Sequence, residues 1–488
     1  MDRRSRTVSF TRRHFLGSAA TLAGAAFLAA CGGASSTATV KPAAGGGGAA
    51  SAAPAAAGST VPAAASAAPA SAAAASAAPT KDLTIVAGKF NVWFSANWNI
   101  VTDEAVGAVF VDWGKQNNVQ VEWQSIPGSP LILQKESAAL AAGQPPEIDN
   151  NNGIYWYTQG EMGDLKSLVD KFKDQAGGMY PTAVSSLTAP DGGMFAAPYA
   201  VDAWPAHWRK DVIGEKNGGK FFDTWEQLIE LGPKIQQPPR TNLFAFCLGH
   251  EGDHVNNLVT VLWAYGGRLN DEQGVPDIKN PANKAGIQTI INMWKANLIP
   301  KESWAQTVTS WNNETYQKGA GLIAINPATI MGNLLVNDKD LADKTDLALP
   351  PKGSAGQFAE GSAIGFGYFK KAKQAGKALE ALEFFMKPEN LLKISKSVEG
   401  RFVPVYRDHA KGDFWEKSKF AQLANIANVG RIRNWPAAPQ PWLADVTDAR
   451  YTLSDMMNKI INENVAIETA QEAAQAQMME SYNKYKKA

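Results

Sequence analysis

The chain has 488 residues, with 47 Lys and Arg against 46 Asp and Glu, and only two cysteines. Residues 81–488 hold 41 basic against 45 acidic side chains, so no basic stripe is available and nucleic acid is excluded as a partner class. A stretch of that length exceeds what one apolar core organises and suits two.

At the front, five arginines, among them Arg12 and Arg13, precede an apolar run from Phe15 to Ala30 that closes on Leu28-Ala29-Ala30-Cys31. Small residues before a thiol are what a signal peptidase needs. Residues 1–30 therefore read as a twin-arginine-like signal peptide with a lipobox, cut before a lipidated Cys31. The run is too short and too rich in Ala and Gly to span a bilayer comfortably. Residues 31–80 are almost entirely Ala, Ser, Gly, Pro and Thr, a composition that cannot offset its own ordering entropy. Such a tether has an r.m.s. span of about 40 Å. The expected location is outside the cell, anchored by lipid to the outer face of the cytoplasmic membrane. With Cys31 lipidated, Cys247 stands alone and no intramolecular disulfide is expected. It lies in Phe244-Ala-Phe-Cys-Leu248, which reads as a buried strand.

Beyond the tether, strand and helix signals alternate. Leu83 to Gly88 reads as a first buried strand. Val106, Val109, Phe110 and Trp113 fall at helical spacing, and Val119, Val121 and Trp123 alternate as in a strand. Thr224-Trp-Glu-Gln227 is a capping-box pattern. Asn280-Pro281 announces a helix carrying Ile287, Ile290, Ile291, Trp294 and Leu298. Gly321 to Ile325 reads as a short buried strand. Ala378, Leu382, Phe385 and Met386 mark a helix stopped by Pro388, and helical spacing returns in the last fifty residues. Alternation of this kind predicts α/β layers with parallel strands.

The order of local motifs carries a resemblance. Ala139-Leu-Ala-Ala-Gly-Gln-Pro-Pro-Glu-Ile148, Ala197-Pro-Tyr-Ala-Val-Asp-Ala203 with Trp208-Arg-Lys-Asp211, Phe222-Asp-Thr-Trp-Glu-Gln-Leu228, and Ala264-Tyr-Gly-Gly-Arg-Leu269 occur in sequence. Gly319-Ala320 with Ile325-Asn326, Leu349-Pro-Pro-Lys-Gly353, Gly361–Gly367 and Ala381–Pro388 follow them. Together they resemble the family 1 extracellular solute-binding proteins of bacterial ABC importers, of the carbohydrate, maltodextrin-binding type. Trp208-Arg209 departs from a pattern where Tyr-Asn is common. The resemblance implies a two-lobed, type II-like periplasmic-binding-protein fold with a hinge that closes over a ligand. Its crossings carry over near Pro198–Ala200, Asn326 and Ser362–Gly365. The first α/β lobe is then expected from 81–198 plus 326–362, and the second from 199–325 plus 363–488. The implied partners are a carbohydrate ligand and the permease subunits. A monomer without cofactor, metal or catalytic residues is expected.

A sugar cleft needs rings to cover C–H faces and aimed polar groups for hydroxyls. Trp93 and Trp98 follow the expected first strand. The maltodextrin-binder resemblance adds Trp156 and Tyr157, with Asn152, from Asp149-Asn-Asn-Asn-Gly-Ile-Tyr-Trp-Tyr157. Trp156→Ala is expected to weaken binding with little loss of fold. Asp202, Trp204 and Asn326 sit at crossings, and Trp311, Trp435 and Trp442 are candidates on the second lobe. His250-Glu-Gly-Asp-His254 matches H-E-x-x-H, but Gly249 and Gly252 break the helix that zinc chemistry requires. Its better reading is a loop whose Glu251, Asp253 and His254 bond a sugar, with a solvated loop tip as the plain alternative. No nucleophile elbow, P-loop or dinucleotide fingerprint occurs. Two rivals remain: a secreted hydrolase, zinc-dependent or a glycosidase, and the same fold binding a polyol, polyamine or peptide.

Overall fold

The computed structural model describes residues 83–96, 100–127, 131–307, 310–397 and 400–486. The signal peptide, Cys31, the tether and Trp98 lie outside the described residues.

Among the described residues, ten strands form two sheets. They are β1 (Phe90–Ala96), β2 (Val121–Pro127), β3 (Ile148–Asp149), β4 (Ala197–Ala203), β5 (Ala206–Arg209), β6 (Asn242–Phe244), β7 (Gly321–Ile325), β8 (Thr345–Ala348), β9 (Gly361–Tyr368) and β10 (Val403–Pro404). The first sheet runs β10-β4-β9-β3-β1-β2 and the second β6-β7-β5-β8. β1, β2 and β3 are parallel, while β9 lies antiparallel between β3 and β4. The second sheet has one parallel pair, β6 with β7. Both sheets are thus mixed, where alternation alone predicts parallel strands.

The expected strand at Leu83–Gly88 is displaced. Residues 83–86 form no ladder; Thr84 instead exchanges two hydrogen bonds with the Gln124 side chain, at 2.7 and 2.8 Å. Gly88 turns the chain at φ +82°, and the aromatic-rich Phe-Asn-Val-Trp-Phe that follows has the stronger strand propensity. Its alternation sorts the side chains. Phe90, Val92 and Phe94 enter a core shared with Val106, Val109, Phe110 and Trp113 of helix Ile100–Gln116. Trp93 faces the opposite side and packs with Leu83, Ile126 and Ile132. Each ring fully buried this way contributes roughly 2–3 kcal/mol.

Three segments connect the sheets side by side. Trp204-Pro205 joins β4 to β5, residues 349–360 join β8 to β9, and the chain returns through Arg431–Arg433. Trp204 N–H donates to Glu360 O (3.0 Å), Arg431 N–H to Ala359 O (3.1 Å) and Gly361 N–H to Arg431 O (3.0 Å). Gly430 has no room for a side chain: a Cβ there would lie 2.7 Å from Ile426 O and 2.9 Å from Gly361 Cα.

This geometry moves the expected boundaries. β8 pairs with β5 in the second sheet, although 326–362 were assigned to the first lobe. β9 pairs within the first sheet, and helices Ala375–Met386 and Pro388–Ser397 pack on Ile100–Gln116, although 363–488 were assigned to the second. Asn326 marks no crossing; its N–H bonds Pro205 O at 3.3 Å on the second-sheet side. The third crossing escapes the sequence because Arg431–Asn434 reads as an ordinary polar loop. Pro388 also opens a helix instead of only stopping one, since its missing N–H costs nothing in a first turn.

Candidate functional site

The C-terminal ends of β1, β3 and β4 and the N-terminal end of β9 share one edge of the first sheet, and the three crossings leave from it. The polar side chains there come from both sides. Asp202, at the end of β4, meets Arg401 at 2.5 Å, and the two side chains are only 17% and 8% exposed. Glu360 meets Arg433 at 3.5 Å; the arginine remains 26% exposed and the glutamate 6%. From the second lobe, Asp253 Oδ2 accepts from Asn326 Nδ2 at 2.9 Å, and Asn312 reaches the same carboxylate. Glu251 Oε2 accepts from Asp253 N–H at 2.8 Å.

The H-E-x-x-H segment resolves accordingly. The helix begins at His254, so Glu251–Asp253 form a turn ahead of it. His250 Nε2 lies 2.7 Å from Asp455 Oδ1, and its ring stacks on Tyr451. His254 Nδ1–H donates to Glu251 O at 2.6 Å, leaving Nε2 as an acceptor. The two histidines thus serve different partners, and among the described residues no three His, Cys, Asp or Glu are grouped to hold a metal ion.

Burial governs the electrostatics. It raises Glu251 and Glu360 to about 7, with Arg433 opposing the rise in both. Asp253 is pushed well above the carboxylate range by burial and by the Glu251 charge. Burial also raises Asp202, against the pull of Arg401, and lowers His254 to about 4. Arg433 holds its proton more firmly than usual: burial works against its charge, but Glu360, Asp448 and Asp253 outweigh burial.

Several buried atoms here have no protein partner: Glu251 Oε1, Glu360 Oε2, His254 Nε2, Asn257 Oδ1 and Arg401 Nε. Buried polar groups are nearly always bonded in native proteins, to protein or to ordered water.

A second polar group lies on the first lobe. Glu136 Oε2 accepts from Asn152 Nδ2 and Trp156 Nε1, both at 2.8 Å. Asp149 accepts from the backbone and side chain of Asn151, both at 2.6 Å. Glu136 is raised to about 7, mainly by burial, and Asp149 is raised further by burial and the neighbouring Glu136. Beside them, Tyr155 meets Tyr485 of the C-terminal helix edge-on at 6.0 Å, a contact between the lobes.

The aromatic candidates fare less uniformly. Trp442 is a core residue; its Nε1 donates to Gly274 O at 3.0 Å. Trp204 also packs in the second core, and Trp93 is buried within β1, not beyond it. Trp156 is buried against Met162, Phe369 and Ala372, so its ring carries fold as well as any contact. The expectation that its removal spares the fold is therefore corrected. Tyr157 reaches Asp191 at 3.1 Å, and Trp311 lies half-buried on the first core. Trp435 and Phe358 sandwich the Arg431 guanidinium at 3.5 and 3.4 Å. Sequence reasoning missed Glu136, Tyr155, Glu360, Arg401, Arg431 and Arg433. The one signal available was the basic alternation Arg431-Ile-Arg433 ahead of Trp435.

Two α/β lobes joined by adjacent strands, with unpaired polar atoms buried at the junction, define a clamp-type binding protein. Residues 97–391 match the family model described as bacterial extracellular solute-binding protein. The chain belongs to that family, whose members capture a solute outside the cell for an ABC importer. Maltose-bound MalE3 of T. maritima shares 18% identity at a TM-score of 0.65, over 80% of this chain and 99% of that one. A sugar transporter protein from Arthrobacter chlorophenolicus A6 with bound laminaribiose shares 16% at 0.66, over 80% and 99%. An ABC transporter solute-binding protein from Agrobacterium radiobacter K84 in complex with ribitol shares 14% at 0.65, over 80% and 98%.

Proposed function

We propose that this protein is a lipid-anchored receptor that takes a carbohydrate between its lobes and delivers it to an ABC permease without altering it. The observation that carries the reading is the junction floor of Asp202, Glu251, Asp253, Asn326, Glu360 and Arg433. Its spare donors and acceptors suit a ligand rich in hydroxyls. His254 is assigned to the same floor beside Glu251, and Asn152 and Trp435 to the rim of the cleft, with Tyr155 added from the inter-lobe contact. Similar folds hold maltose and laminaribiose in two relatives, which supports a sugar; a third holds ribitol, which favours a polyol as the second reading. Closed and open forms present different surfaces to a permease, so ligand affinity for the closed form is what drives delivery.

A thermal-shift screen of mono- and oligosaccharides and polyols tests this. A ligand at one hundred times its Kd adds about 2.7 kcal/mol to stability. A saturable rise in Tm with at least one such compound, recovered chemically unchanged, is the expected result. A flat response across the screen, or cleavage of the bound sugar, counts against it.

A further inference from the structure

We infer that the solute carries a protonated amine as well as hydroxyls, and that Glu251 and Asp253 receive it; this rests on the carbohydrate reading of the cleft. Asp202 has Arg401 and Glu360 has Arg433. Arg433 is also the cation that acts on Glu251 and Asp253, and Asp448 draws on it as well. One guanidinium therefore serves four carboxyl groups. The direct partners of Glu251 and Asp253 are neutral: the Asp253 N–H and Cys247 for the first, Asn326 and Asn312 for the second. His254, beside them, is held uncharged by burial, and His250 is turned to Asp455.

Two unmatched carboxylates this deep are unfavourable, so burial favours their protonated forms. Neutral hydroxyls leave that state as it is. An ammonium group supplies the missing positive charge and a donor for the unpartnered Glu251 Oε1. As R–NH3+ docks, a carboxylic acid becomes a carboxylate and its proton passes to the buffer. No bond within the ligand changes.

The experiment is calorimetric titration of the whole protein at pH 6.5 with matched pairs: glucose and glucosamine, galactose and galactosamine, cellobiose and its diamino analogue. Each is run in two buffers of different ionisation enthalpy. At least one amine is expected to bind about ten-fold more tightly than its hydroxyl partner, a difference of about 1.4 kcal/mol. Its heat is expected to vary with buffer as proton release requires. Glu251→Gln is expected to shrink the preference below three-fold. The wild-type proton count stands even if that variant folds poorly. Hydroxyl partners binding equally well or better, or amine binding with no buffer dependence, overturns the inference and leaves the carbohydrate reading intact. Failure of every compound both here and in the thermal-shift screen overturns the carbohydrate reading itself, and this inference with it.

Discussion

Glu136 accepts two side-chain donors on one oxygen and lies within hydrogen-bonding reach of Asp149 with its carboxyl group. The unpartnered atoms Glu136 Oε1 and Asp149 Oδ2 are both satisfied if the pair keeps one proton. Its sign follows from linkage. A carboxyl raised from 4.5 to about 7 contributes stability that is present below 4.5 and lost as pH rises through 7. Glu136→Gln keeps the acceptor for Asn152 and Trp156 and supplies a permanent donor to Asp149. The variant should match the wild type at pH 5 and melt several degrees higher at pH 8; equal melting at both values would show that the pair does not lose its proton between them. Trp156→Ala, by contrast, should cost about 3–5 kcal/mol, because it empties a buried cluster and removes one of the two donors to Glu136. Denaturant titration measures it, and a loss under 1 kcal/mol would return Trp156 to a purely ligand-facing role.

Helix Trp225–Ile235 shows what local rules deliver. Thr224 Oγ1 accepts from Gln227 N–H at 3.0 Å, and Gln227 Oε1 accepts from Asp223 N–H at 2.7 Å. Thr224→Ala should cost about 1 kcal/mol, read as a lower denaturation midpoint with an unchanged slope. An unchanged midpoint would mean the cap is not formed in solution. Elements of this sort, with periodic apolar faces or capping pairs, were legible: Ile100–Gln116, β2, β7 and Trp225–Ile235 fall where the sequence puts them. The crossings were not. They depend on pairings between residues far apart in the chain, such as Trp204 with Glu360 and Gly361 with Arg431, and nothing local encodes those. The site was half legible for the same reason. Glu251, Asp253 and Asn326 stand in marked segments, whereas Arg401 and Arg433 acquire meaning only when β4 and β9 bring Asp202 and Glu360 to them. Tryptophan abundance misled, because indoles such as Trp442 bury with their N–H bonded to a backbone carbonyl and need no ligand. At the hinge, Gly430→Ala should force Ile426 and Gly361 apart and weaken solute binding more than overall stability; equal binding would show that the strands can shift without moving the lobes.

For the whole molecule, a long tether with a lipid at Cys31 would keep a two-lobed clamp near its permease. Cys31→Ser should move the protein from the membrane fraction to the medium, and unchanged fractionation would rule the anchor out. Motion of one lobe against the other requires only that the three adjacent crossings bend, since the Arg–carboxylate pairs beside them are anchored close to those strands. Closure would remove water from the junction floor, strengthening each charged contact there. The most direct test is small-angle X-ray scattering of the protein with and without a saturating sugar found by thermal shift. The account predicts a smaller radius of gyration in the liganded sample, in proportion to occupancy. Identical scattering curves at full saturation would contradict a ligand held between closing lobes.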